Sequence, residues 1–162
     1  MNRTFEFKLF ADYFQFYLAD ENSNSDLSQG WTKEAVDRLL AIAPGTIGVG
    51  TARNMVVPVV VEVTDDEPLN EDTSAWDQVN ECTIEVRSER IVIAGCTDYV
   101  PDAAGIDLRP GTYRARIYYG KLRSLSANEL EGEDHYRIVL WNAAPGPLMV
   151  IKQRILVDSE VL

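Results

Sequence analysis

The chain has 162 residues, 46% hydrophobic and 25% charged, with 26 acidic against 15 basic side chains and a formal net charge of -11. That length and apolar content suffice for one domain, residues 1–162, with a full core and no need of disulfide or metal staples. The charge disfavours direct binding to nucleic acid or to an anionic membrane and suits a cationic partner, beside its plain role in solubility.

The first residues, Met-Asn-Arg-Thr-Phe-Glu-Phe-Lys, lack the apolar region of a secretory signal. The longest apolar run, Met55–Val61, is too short to span a bilayer and contains Pro58. A cytoplasmic location is expected. Phe5, Phe7 and Leu9 alternate with Glu6 and Lys8, the pattern of a strand. At Ala11-Asp12 the apolar phase shifts to Phe14, Phe16 and Leu18, which calls for a bulge or turn. Tyr13 and Tyr17 fall on the other face with Gln15, placed there by core packing or as a functional aromatic face.

Asp20–Gly30 is polar and reads as a loop. Thr32 can cap a helix, Glu34 suits its first turn, and Val36, Leu39, Leu40 and Ala43 form an apolar stripe ended by Pro44-Gly45. Trp31, just before the cap, can pack back on that stripe. Ile47–Ala52 is a short strand whose Gly48 and Gly50 lack the further residues of a phosphate loop. A turn is expected at Arg53-Asn54. Val57, Val59, Val61 and Val63 share one face of the next strand, where Pro58 suggests an edge or a bulge. Glu62 and the acidic run after it guard this aggregation-prone segment.

Thr64–Asp77 is an acidic loop containing Asp65, Asp66, Glu67, Glu71, Asp72 and Asp77. Its spacing does not match a calcium loop, and a solvated loop is the plainer reading. Gln78–Val86 and Arg90–Gly95 read as a hairpin. With Ile84 opposite Ile93 and Val86 opposite Ile91, Cys82 faces Gly95 and Cys96 points to the opposite face. That register disfavours a disulfide. Cys96–Gly105 is a loop whose Asp98-Tyr99 is a turn or a contact site.

Arg109-Pro110-Gly111 feeds a strand with Tyr113, Ala115, Ile117 and Tyr119 on one face and Arg114, Arg116 and Tyr118 on the other. This basic stretch is either a cationic contact face or an internal partner for the acidic loop, and the acidity of the whole chain favours the second. After a loop over Lys121–Asp134, Tyr136, Ile138 and Leu140 alternate with Arg137, Val139 and Trp141 in another strand. Pro145-Gly146-Pro147 turns the chain into a last strand near Leu148–Leu156, with fraying beyond. The whole predicts a mostly-β protein: an antiparallel β-sandwich of about eight strands with one short helix in the N-terminal half.

No catalytic pattern accompanies this fold. His135, the only histidine, has no nucleophile in a recognisable setting, and neither cysteine has a histidine near it in sequence. Two cysteines and one histidine are too few for a zinc site. No enzyme activity, metal or cofactor is expected.

The stretch Tyr13-Phe14-Gln15-Phe16, then Trp31-Thr32-Lys33-Glu34-Ala35, then Gly45 to Arg53-Asn54, resembles the bacterial competence protein J family. Leu108-Arg109-Pro110-Gly111-Thr112-Tyr113 is similar to a Leu-Pro-x-Gly-x-Tyr turn of that family. The family includes an inhibitor that binds a DNA-entry nuclease. The resemblance therefore implies a non-enzymatic, nuclease-inhibitor or immunity-type module that docks an acidic surface on a basic protein. The candidate contact residues are Asp65, Asp66, Glu67, Glu71, Asp72, Trp76 and Asp77, helped by Asp20 and Glu21. Trp76 is the candidate apolar anchor. A second expectation, of a different class, is a sandwich that holds a small molecule or sugar on Tyr13, Tyr17, Tyr118 and Tyr119.

Overall fold

The computed structural model describes residues 2–98 and 103–156. In chain order the elements are β1 (Arg3–Phe10), a 3-10 turn (Asp12–Phe14), β2 (Gln15–Asp20), α1 (Lys33–Arg38), β3 (Leu40–Ala43), β4 (Thr46–Gly50) and β5 (Val56–Thr64). There follow β6 (Gln78–Val86), β7 (Arg90–Gly95), β8 (Ala104–Asp107), β9 (Gly111–Gly120), β10 (His135–Asn142) and β11 (Met149–Lys152). Six strands form one sheet in the order β1-β5-β10-β9-β6-β11, and five form the other in the order β3-β4-β2-β7-β8. The mostly-β sandwich is as expected, with eleven strands among the described residues rather than about eight. The pairing is antiparallel except where β10 runs parallel to β5.

Alternation builds the core. The six-stranded sheet turns Val57, Val59, Val61, Tyr119, Ile117, Tyr136 and Ile138 inward, and the five-stranded sheet answers with Phe16, Leu18, Ile47, Val49, Ile91 and Ile93. The edge-to-face contact of Tyr136 with Phe16 (5.9 Å) joins the two layers, and Tyr136 meets its strand neighbour Tyr119 edge-on at 6.0 Å within the six-stranded sheet. Burial pushes both tyrosine hydroxyls well above their usual range, and the Asp134 carboxylate adds to this at Tyr136.

Four local expectations are corrected. β6 and β7 do not form a hairpin. β6 pairs with β9 and β11, while β7 pairs with β2 and β8, so residues 87–89 carry the chain from one sheet to the other. Ile84 and Val86 do meet the same core as Ile91 and Ile93, but from the opposite layer. Alternation alone cannot tell a ladder partner from a facing sheet, because both put the same side chains inward. Cys82 and Cys96 are accordingly free thiols in or after strands of different sheets.

The helix is shorter than the apolar stripe implied. Thr32 caps it, its hydroxyl accepting from the Ala35 amide at 3.2 Å. Leu39, with φ 62°, closes it in the left-handed region, and Leu40–Ala43 becomes β3. Val36 is left 51% exposed. Trp31 does not pack as a staple on the helix. Its indole N–H donates to Gln15 at 3.0 Å, and with Leu27 it lies so close over Gly48 that a Cβ there would sit 2.7 Å from Leu27 and 3.1 Å from Trp31. Finally, Pro58 lies in an interior strand. It opposes Lys8 on β1 but precedes the stretch paired with β10, which begins at Val59. There its missing N–H leaves that ladder intact.

The phase shift after β1 is resolved by a tight turn in which Tyr13 (φ 59°) and Phe14 (φ 61°) both adopt left-handed backbone. The turn is tied down: the Phe14 amide donates to Ala11, the Thr51 amide to Phe14, the Ala11 amide to Met55, and the Cys96 thiol to the Asp12 carbonyl. Tyr13 is 70% exposed, so core packing does not explain it. The Tyr99 part of the expected Asp98-Tyr99 contact lies outside the described residues, as does the C-terminal fraying.

Two measurements check these points. Tyr13→Gly is expected to raise unfolding stability by about 1 kcal/mol by relieving backbone strain. A loss in urea titration would mean that the ring contributes more than the strain costs. In the native protein only Cys96 is expected to react with a thiol reagent at pH 8. Cys82 is buried, and burial pushes its thiol up to about 12. Two fast-reacting thiols would contradict the placement of Cys82.

Candidate interaction surface

The outer face of the six-stranded sheet interleaves charged groups with a second apolar cluster of Val79, Tyr118, Val139 and Trp141, and its register sets them in rows. Glu62, Val139, Arg116 and Glu81 lie across β5, β10, β9 and β6 in one row. Arg137, Tyr118 and Val79 form the row on one side, and Trp141, Arg114 and Thr83 the row on the other. Glu81, only 7% exposed, sits between two arginines. Its Oε2 accepts from Arg114 Nε at 3.0 Å and Nη2 at 2.9 Å, and its Oε1 accepts from Arg116 Nε at 2.9 Å. Arg114 also donates to Thr83 and to the carbonyls of Gly146 and Pro147. These guanidinium groups are buried with nearly every donor used, the condition under which buried charge is tolerated.

The acidic loop then closes over this face. Glu67 accepts from Arg116 at 3.0 Å, and the Pro68 carbonyl accepts from the same side chain. Arg137 donates to Glu62 at 2.8 Å and to Glu71 at 3.3 Å. The guanidinium of Arg137 lies 4.8 Å over the Tyr118 ring, and that of Arg116 lies 5.2 Å over Trp141. Of the two arginines of β9, Arg116 is thus an internal partner of the acidic loop, while Arg114 is held by Glu81, Thr83 and the 146–147 carbonyls; neither is a contact face of its own.

The predicted contact residues divide accordingly. Glu62, Asp65, Asp66, Glu67 and Glu71 line one concavity of about 500 Å³, with Arg137 on its wall. Within it, Glu67 and Glu71 are already committed to arginines. Asp66 and Asp72 are exposed on the same loop. Asp72 accepts from the Ser74 amide at 2.9 Å, which holds its carboxyl below the usual value. Asp77 is turned inward and accepts from the Leu122 amide at 2.7 Å.

Asp20 and Glu21 belong to the other sheet. Asp20 is buried and accepts from the Ser88 amide and hydroxyl, and Glu21 pairs with Arg90 at 2.8 Å. Their role is to hold the β6–β7 crossing. Trp76 is half-buried, with its ring 5.2 Å from Tyr118 and 5.0 Å from His135. It packs under the loop's return, against the apolar cluster of the sheet's outer face. His135 is at the surface, its ring beside the Glu133 carbonyl.

The four tyrosines of the alternative ligand face are not brought together. Tyr118 and Tyr119 are adjacent in β9, so they point to opposite faces of the sheet, and both are fully buried. Tyr13 is exposed on its turn and Tyr17 is on the outer face of the five-stranded sheet. A tyrosine-lined pocket of those residues is ruled out by this geometry.

Sequence reasoning missed the pair that ties the 51–54 turn to the 121–134 loop. Arg53 is buried, its Nε donating to Asp134 at 2.6 Å and its Nη1 to the Leu130 carbonyl, while Tyr136 donates to the other oxygen of Asp134. The only signal was an arginine in a supposed turn.

The arrangement defines a class: a two-sheet β-sandwich whose one outer face is closed by an acidic loop. Among the described residues no group of histidine, cysteine, aspartate and glutamate could hold a metal, and no helix is long and apolar enough to cross a membrane. The chain shares its fold with ComJ from Bacillus subtilis, whose crystal structure is described as that of an inhibitor of the DNA degrading activity of NucA. The TM-score is 0.69 over 88% of this chain and 99% of that one, at 20% identity. A structure described as crocagin biosynthetic gene J is similar as well, with a TM-score of 0.60 over 89% of this chain and 99% of that one, at 18% identity. The resemblance to the competence protein J family read from short motifs therefore holds at the level of the fold. No family model matches the chain, and no curated protein matches it.

Glu81→Leu leaves Arg114 and Arg116 buried without their shared carboxylate. It is expected to cost about 3 kcal/mol or more in urea unfolding. A loss under about 1 kcal/mol would mean that water reaches both guanidinium groups.

Proposed function

We propose that this protein is a non-enzymatic inhibitor that binds a DNA-degrading nuclease and docks an acidic surface on its basic cleft. The observation that carries the reading is the fold shared with ComJ, an inhibitor of the NucA nuclease, over nearly the whole of both chains. The net charge of -11 agrees with it. A nuclease presents cations to phosphates, and an acidic protein is steered to the same cations. The inhibitor acts on its partner and not on DNA, from which its own charge repels it.

The contact we assign is the acidic concavity at the end of β5 together with the loop beside it, with Asp66 in its lining and Asp72 on the adjoining loop as reporters. Glu67 and Glu71 are poor probes, because neutralising either one strips a carboxylate from Arg116 or Arg137. The test is a DNA-degradation assay with a non-specific nuclease of the source organism, or with NucA as surrogate, titrated with the purified protein. Saturable inhibition is expected. The Asp66→Asn/Asp72→Asn double variant should associate about threefold more slowly at low salt, with a flatter salt dependence. Full nuclease activity at saturating protein removes the inhibitor reading. Wild-type kinetics in the double variant removes the acidic concavity from the contact.

A further inference from the structure

One part of the surface reverses the sign of the molecule. Beyond the C-terminal end of α1 lies a concavity of about 480 Å³, in the size range of small-ligand sites. Its apolar walls include Leu39, Leu122 and Leu125, and its charged lining includes Arg123, Lys152 and Arg154. The carboxylate that shares this lining, Asp77, is spent on the Leu122 amide.

The three cations are incompletely used. Arg154 has a structural duty: its Nε donates to the Asp37 carbonyl at 3.0 Å and its Nη2 to the Val36 carbonyl at 3.2 Å, closing the C-terminus of α1. Lys152 gives a hydrogen bond to the Thr73 carbonyl at 3.0 Å, which leaves two of its three donors. Arg123 makes no side-chain hydrogen bond or ion pair among the described residues, so its full guanidinium fork is available. None of the three has a carboxylate within ion-pair distance among the described residues. In a chain with 26 acidic side chains, such a group of cations beside leucines is an anion site with an apolar wall.

We propose that this concavity binds a small aliphatic carboxylate. The carboxylate is held by the Arg123 fork and Lys152, and the aliphatic body lies against Leu39, Leu122 and Leu125. A single-charge planar head matches the bidentate geometry of one free guanidinium. The site is distinct from the acidic concavity: it is lined by different residues and takes the opposite charge.

The test is a titration of the full chain with octanoate, followed by amide chemical shifts, with octylammonium and octyl phosphate as comparison probes. Saturable octanoate binding is expected, with shifts centred on residues 39, 51–52, 122–125 and 152–155 and no effect of octylammonium. Arg123→Gln/Lys152→Gln should weaken octanoate at least about tenfold. Arg123 is exposed and Lys152 half-buried, so the variant should keep the wild-type amide spectrum elsewhere. Lack of saturable binding, unchanged affinity in the variant, or equal binding of octylammonium overturns the site. Tighter binding of octyl phosphate than of octanoate overturns the carboxylate assignment.

Discussion

Glu81 is the constraint from which the rest of the molecule can be read. A carboxylate on the outer face of an interior strand would ordinarily be solvated. Here two arginines of β9 grip it from either side and all three are buried. Burial of this kind is tolerated only when the remaining donors also find acceptors. The chain supplies them from both directions. The 146–147 carbonyls complete Arg114, and the acidic loop completes Arg116. The loop is therefore drawn across the sheet by the needs of the arginines, and Trp76 and Tyr118 pack where it returns.

This explains how an acidic protein spends its charge. Part of the carboxylate excess is structural: Glu81, Glu67, Glu62, Glu71 and Asp134 are committed to guanidinium groups. What remains at the surface is unevenly distributed. The end of β5 keeps a carboxylate-lined hollow, while the region beyond α1 gathers cations that form no ion pair among the described residues. Net charge describes long-range steering, and the local fields that select a ligand or a partner site are set by these internal commitments.

Much of the fold was legible because burial on one face writes a period of two. The alternations over 57–63, 113–119 and 136–141 predicted which side chains enter the core, and all three strands lie in the sheet interior. The layer to which a strand belongs leaves no such mark. β6 and β7 present the same inward pattern whether they pair or face one another, so the hairpin was a natural error. The end of α1 was hidden because a left-handed Leu39 carries no glycine to announce it. For the site, the acidic loop and the basic strand were both visible, and so was their mutual neutralisation. What could not be seen was which carboxylates would be consumed, since Glu67 meets Arg116 across 49 positions of sequence. The link of Arg53 to Asp134, 81 positions apart, was silent for the same reason.

The parallel contact of β10 with β5 has a kinetic meaning. Val59 lies between Phe7 on one side and Tyr136 on the other, so the valine-rich strand gains its second neighbour only when a segment more than seventy positions later arrives. Sheets closed by such distant pairings cross a large loop-closure barrier and fold on the slow side, in milliseconds to seconds. During synthesis β1 and β5 can meet early as an antiparallel pair, with one edge of β5 still bare. Glu62 and the carboxylates that follow it stand at the end of that edge, where charge deters pairing with a neighbouring chain until β10 is made. The same acidic run that later covers the arginines thus also serves the protein before it is folded.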